Sequence, residues 1–205
     1  MRSSLVSIFS YCLLAGICWL GLLGCSPNPL NDLSAEDSKV FITNYDDTVN
    51  FSNYRTFSIP DSVEVIYNDR YGLSADNFDL AFLGRIRASM QDRGYTEVER
   101  VDTPELGINV MYVQQVQTGV TVNPYYYGSG YWGYGGGYYY PSYYSYYQVS
   151  DSYWYIELLD LKNAARNGNK VKVIWAAQVR GDGLGTNPNG MIDAIFAQSP
   201  YLKKE

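Results

Sequence analysis

The sequence predicts an α+β domain: a mostly antiparallel sheet of about five strands with two helices packed on one face, in a single domain that also carries a long Tyr/Gly-rich loop. Three observations carry this expectation. Runs rich in Val, Ile, Phe, Thr and Tyr alternate with polar residues at period two, the pattern of half-buried strands. Two other stretches repeat apolar residues at spacings of three and four behind capping residues, the pattern of amphipathic helices. Elements with one apolar face are stable only when that face is covered, and helices laid on one side of a sheet cover both.

Before the first strand, the chain opens on Met1-Arg2 and then runs almost uninterrupted in apolar residues to Leu22-Leu23-Gly24-Cys25. This is the pattern of a bacterial lipoprotein signal over residues 1–24. The charge holds the leader at the cytoplasmic face, the apolar run enters the bilayer, and small Gly24 lets a peptidase reach the bond before Cys25. Cys25 is therefore the expected lipidation site, carrying acyl chains such as palmitate. Two or three chains at about 0.8 kcal/mol per buried CH2 hold a protein permanently, whereas one does not. Ser26, in place of an aspartate, points to the outer membrane facing the periplasm. The competing reading is an uncleaved helix, since the apolar run approaches the roughly 20 residues that cross a bilayer. Residues 25–38 are polar, contain two prolines and lack periodicity, as a flexible tether should; a dozen such residues span about 20 Å.

The domain is expected over residues 39–205. Val40–Tyr45 reads as a first strand and residues 54–59 as a second, stopped by Pro60. Residues 61–72 are assigned to loop, although Val63-Glu64-Val65-Ile66-Tyr67 has strand character. Asp76 or Ser74 caps a helix in which Phe78, Phe82, Leu83, Ile86 and Met90 form one stripe, with Gly94 ending it. Arg85 and Arg87 lie on its wet face. Residues 106–117 alternate as a long strand, and residues 153–161 and 171–179 make two more. In the last, Val171, Val173, Trp175, Ala177 and Val179 are expected on one face. Asn187-Pro188 starts a second helix, with Met191, Ile192, Ile195 and Phe196 as its stripe, and Ser199-Pro200 closes it. Tyr54, Phe57, Trp175 and Phe196 are assigned to the core.

Composition excludes several chemistries. The chain has no histidine, and two of its three cysteines, Cys12 and Cys18, leave with the leader. With the sulfur of Cys25 taken by lipid, the mature protein holds no thiol nucleophile, no disulfide and no imidazole base or ligand. No cofactor and no metal site is expected. Asp46-Asp47 lacks the spaced oxygen ligands and turn glycine of a calcium loop. The formal charge of −6 has no basic cluster within it, so nucleic acid is not an expected partner. The acidic excess between residues 32 and 79 reads as a solvated face.

An insert at residues 123–149 is built almost wholly of tyrosine, glycine, serine and proline, with no charge. It reads as a loop between two strands. Its aromatic residues also form the candidate binding surface: Tyr125, Tyr126, Tyr127, Tyr131, Trp132, Tyr134, Tyr138, Tyr139 and Tyr140, whose flat amphipathic rings suit a glycan or an envelope protein partner.

Asn50-Phe-Ser-Asn-Tyr-Arg-Thr-Phe57, the helix ending in Gly94-Tyr95, Pro104-Glu-Leu106, the aromatic insert, Ile156-Glu-Leu-Leu-Asp160 and Val173-Ile-Trp175 follow one another along nearly the whole mature chain. In that order they resemble the envelope lipoproteins that carry domain of unknown function 4136. The chain departs from the pattern at Glu105, where aspartate is more usual, and at Tyr153-Trp154-Tyr155. The resemblance implies an envelope location and a compact α+β fold, and brings no activity, cofactor or catalytic residue. The resulting expectation is a membrane-anchored envelope lipoprotein, a non-enzymatic structural or binding module. The alternatives are a glycan-binding module using the Tyr/Gly loop, and a carboxylate-dependent glycan hydrolase working with two of Asp46, Asp47, Glu157 and Asp160.

Overall fold

Residues 38–67, 70–114, 131–132, 138–139, 152–168, 170–181 and 183–204 are described by the computed structural model, Tyr138 and Tyr139 by their backbone. They form one α+β domain with two helices and, among the described residues, a sheet of nine strands. In chain order these are β1 (Val40–Tyr45), β2 (Thr56–Ser58), β3 (Val63–Tyr67), β4 (Arg70–Ser74), α1 (Asn77–Asp92), β5 (Thr96–Glu97), β6 (Leu106–Gln114), β7 (Tyr138–Tyr139), β8 (Tyr153–Asp160), β9 (Val171–Arg180) and α2 (Pro188–Ala197). The main path through the sheet is β1-β9-β8-β6-β2-β5.

The sheet is mixed, which corrects the expectation of a mostly antiparallel one. β1, β9, β8 and β6 pair antiparallel, but β2 and β3 both run parallel to β6, β5 runs parallel to β2, and β7 runs parallel to β9. The cause is α1. A connection containing a helix returns the chain to the edge it left, so that the next strand runs in the same direction. β2 pairs with the start of β6 at Leu106 and Gly107, and β3 with its far end from Met111 to Gln114. The two make one interrupted line along β6, and Pro60, which has no N–H to give a ladder, falls in the gap. Residues 63–67, expected as loop, are thus a strand, and they form a hairpin with β4.

Both helices begin where their side chains supply the missing acceptors. Asp76 accepts from the Asp79 backbone N–H at 2.9 Å, and Asp79 accepts in return from the Asp76 N–H at 3.3 Å, a reciprocal cap built from two aspartates. Gly94, with φ +89, takes the left-handed conformation just past α1 that a side chain would resist. Asn187 caps α2 by accepting from Gly190, and Pro188 occupies the first turn, where an N–H has no partner.

Phe82, Leu83, Ile86 and Met90 of α1 and Met191, Ile192, Ile195 and Phe196 of α2 are buried in one cluster. They pack on Phe57, Leu106, Ile108, Val110, Trp154, Ile156, Leu158 and Trp175 of the sheet. Each such side chain removed from water is worth roughly 1.5–3 kcal/mol. Tyr54, Phe57, Trp175 and Phe196 belong to this core, as expected.

One element departs from strict alternation. Leu158 sits opposite Trp175 but Leu159 sits opposite Val173, so Ile174 is an extra residue in β9. The bulge exchanges the faces. Trp175, Ala177 and Val179 point to the helices, while Val171 and Val173 join Leu159, Leu161, Ala164 and Ala176 on the other side. The sequence had placed all five odd positions together.

Candidate functional site

The side of the sheet away from the helices carries buried polar groups. Alternation along β6 puts Gly107, Asn109, Met111 and Val113 on this side. Asn109 stands opposite Glu157 of β8, and Glu64 of β3 stands opposite Met111. Asn109 donates from Nδ2 to Glu157 Oε2 at 3.2 Å and accepts from the indole Nε1 of Trp132 at 2.7 Å. Glu157 and Glu64 are both buried, and Oε2 of Glu64 has no hydrogen-bond partner. Burial first, and the neighbouring charge of Glu157 second, push the Glu64 carboxyl up to about 7. A buried acid pushed up toward neutrality is chemically unusual and marks a place to look for function. Its sequence signal is a lone glutamate inside the apolar run Val63-Glu64-Val65-Ile66, whose strand pairing with β6 is long-range and so not visible locally.

A second feature lies at the end of the sheet where β1 runs out and β8 stops. Here an open pocket of about 480 Å³ is walled by Asn50, Asn53, Tyr54, Asp160, Lys162 and Asn163, with Thr48 and Val49. Local chemistry orders its walls. Asp160 is buried and accepts from the Asn163 backbone N–H at 3.1 Å and from its Nδ2 at 3.1 and 2.8 Å. Burial, then the charge of Asp160, raise the Tyr54 phenol well above its ordinary value, so it stays a hydrogen-bond donor. Lys162 donates to the Asn53 carbonyl at 2.7 Å, pairs with Glu105 at 2.9 Å and lies 5.6 Å from the centre of the Tyr54 ring.

The nominated carboxylates do not assemble as a pair. Asp46 ion-pairs with Lys172 and accepts from Thr48, and although burial works to raise it, these partners hold it below the usual carboxylate range. Asp47 is exposed, and Asp160 is held by Asn163. Glu157 lies near enough to Glu64 for its charge to act on that carboxyl. Arg85 and Arg87 brace the domain: Arg85 pairs with Asp193 across the two helices, and Arg87 with Glu97 at 2.9 Å and Asp61 at 2.7 Å.

Of the candidate aromatic surface, Tyr125, Tyr126, Tyr127, Tyr134 and Tyr140 lie outside the described residues, as does Cys25. Tyr138 and Tyr139 pair by their backbone with Val171 and Lys172. Tyr131 is 38% exposed, with the Arg100 guanidinium 5.0 Å from its ring centre. Trp132 departs from expectation. It is 7% exposed and packs in the cluster of Leu159, Leu161, Val171 and Val173, so its face is turned to the domain's own core instead of to a ligand. The reason is Gly107: a Cβ there would lie 2.9 Å from Cε2 of Trp132, so the missing side chain makes the space the indole fills.

The model of the DUF4136 family, a domain of unknown function, matches residues 42–201. A crystal structure of a DUF4136 family protein from Bacteroides thetaiotaomicron superposes with a TM-score of 0.72 at 26% identity, covering 82% of this chain and 100% of that one. A PelC dodecamer from Paraburkholderia phytofirmans gives a TM-score of 0.42 at 10% identity, over 82% of this chain and 99% of that chain. No curated protein matches the sequence.

Proposed function

The chain belongs to the DUF4136 family, and on that premise we propose that it is a lipid-anchored module of a bacterial cell envelope that binds a ligand and does not transform it. Cys25, at the end of Leu22-Leu23-Gly24-Cys25, carries the lipid, and the domain sits at the outer membrane on the periplasmic side. The observation that carries the binding reading is the pocket beside Asp160. It falls within the roughly 300–1,000 Å³ of ligand sites and its polar walls are fixed before any ligand arrives. Its carboxylate is committed to Asn163, as that of Asp46 is to Lys172, which suits a frame for binding better than a base for catalysis.

The experiment is Cys25→Ala in cells fed radiolabelled palmitate. The variant should lose the label and move from the detergent phase to the aqueous phase. Retention of membrane partition would favour an uncleaved helix instead.

The burial of two acids, Glu64 and Glu157, on one side of the sheet, with the Glu64 carboxyl pushed up by that burial and by the Glu157 charge, favours a hydrolase alternative in which Glu64 joins Glu157. Release of reducing ends from isolated cell-wall glycan by the wild type, abolished by Glu64→Gln, would establish it. Absence of release by the wild type removes it.

A further inference from the structure

We propose that the pocket at the Asp160 end of the sheet is a saccharide subsite, taking a neutral polyhydroxylated unit of an envelope glycan. This rests on the binding reading above and names the ligand class for its pocket. The argument begins with hydrogen-bonding capacity. The Asp160 carboxylate can only accept, and it is already engaged by Asn163 and by the Tyr54 phenol, so it frames the pocket and orients its walls. Asn50 commits its side-chain oxygen to the Ser52 N–H at 3.0 Å and the Ser52 hydroxyl at 2.8 Å, which turns its amide N–H groups into the available donors. The exposed Asn53 carboxamide offers a donor and an acceptor together. A ligand that satisfies this set must both donate and accept at closely spaced points, as neighbouring hydroxyls on a sugar ring do.

Charge narrows the class further. The Lys162 ammonium is neutralised by Glu105 at 2.9 Å and bonded to the Asn53 carbonyl, so it is not a free anion clamp. An anionic ligand would also approach the carboxylate of Asp160 and be repelled by it. A cationic ligand would find the Asp160 carboxylate already bonded by Asn163 and Tyr54, and an apolar one would cover the Asn50 and Asn53 amides without giving them partners. Neutral polyols remain. Because both Asn50 and Asp160 are already held, little side-chain freedom is lost on binding.

The test is a titration of the mature chain, followed by amide chemical shifts, with chitotriose, cellotriose and maltotriose as neutral probes and inorganic phosphate as the anionic control. At least one trisaccharide should shift the amides of residues 48–54 and 160–163 saturably. Asn53→Trp, at an exposed position whose larger ring fills the pocket, should weaken that binding at least tenfold, and Asp160→Asn should do the same with the circular dichroism spectrum unchanged. If no trisaccharide binds, or phosphate binds in preference, the saccharide assignment is overturned. If a trisaccharide binds and Asn53→Trp leaves its affinity intact, the binding reading survives and this location is overturned. The anchor is judged separately by the Cys25→Ala experiment.

Discussion

The indole N–H of Trp132 donates to the side-chain oxygen of Asn109 at 2.7 Å, and the ring covers Gly107 two residues earlier on the same strand. A tryptophan from the least core-like stretch of the sequence is thereby part of the core. Trp132→Ala removes a buried ring and leaves Asn109 without that donor, so it should cost about 3–5 kcal/mol in urea denaturation. Gly107→Ala should destabilise the wild type through its contact with the ring, and less so once Trp132 is alanine. Additive effects in that double-mutant cycle would refute the packing relationship.

Replacing residues 125–147 by a short Gly-Ser bridge tests the same relationship on a larger scale. The sequence alone suggests that stability would be nearly unchanged. With Trp132 and the β7 pairing to β9 both removed, the melting temperature should fall by at least as much as in Trp132→Ala. An unchanged melting temperature would mean that the ring adds nothing to the fold.

Glu64 should make stability fall as pH rises. Its folded-state value of about 7 lies above the ordinary 4.5, so the native chain holds a proton that the unfolded chain has already released in that window. The penalty is absent below pH 4.5, grows between 4.5 and 7, and is complete above 7. At about 1.36 kcal/mol per unit it is on the order of 3 kcal/mol. Glu64→Gln should therefore gain stability over the wild type at pH 8 and lose that gain by pH 4.5. A difference that stays constant from pH 4.5 to 8 would assign the titration to another group.

Arg93 closes the C-terminal end of α2. Its guanidinium donates to the carbonyls of Phe196 at 2.5 Å, Ser199 at 2.7 Å and Leu202 at 2.9 Å, and it lies 5.1 Å from the Phe196 ring centre. Arg93→Met keeps much of the stem but takes the guanidinium from three carbonyls, of which those of Phe196 and Ser199 keep a backbone donor from Ser199 and Leu202. A loss of about 2–3 kcal/mol is expected, with faster hydrogen exchange in the last turn of α2. Exchange unchanged there would show that water replaces the clamp without cost.

How far the sequence could be read followed the range of the forces involved. Val40–Tyr45 coincides with its expected strand, and β8, β9, α1 and α2 lie within a residue or two of theirs. Strand alternation, the Asp76 cap, Gly94 and Asn187-Pro188 act within one turn or one strand, so the local sequence carries them in full. The pocket was only partly legible: Tyr54 and Asp160 were singled out, one as core and one as a candidate carboxylate, but nothing local says that residues 48–54 and 160–163 meet.

What the sequence by itself determined was therefore the two helices with their apolar stripes, the longer strands and the chemistries that a chain without histidine cannot perform. Only the tertiary structure decided which strands are neighbours. It set β2 and β3 parallel to β6, inserted Ile174 as a bulge that reverses the faces of β9, brought Glu64 near Glu157, and placed Trp132 over Gly107. Each of these joins residues far apart in the chain. Their pairing is selected by the burial and hydrogen bonding of the whole sheet, and a one-residue change of register turns every side chain to the opposite face.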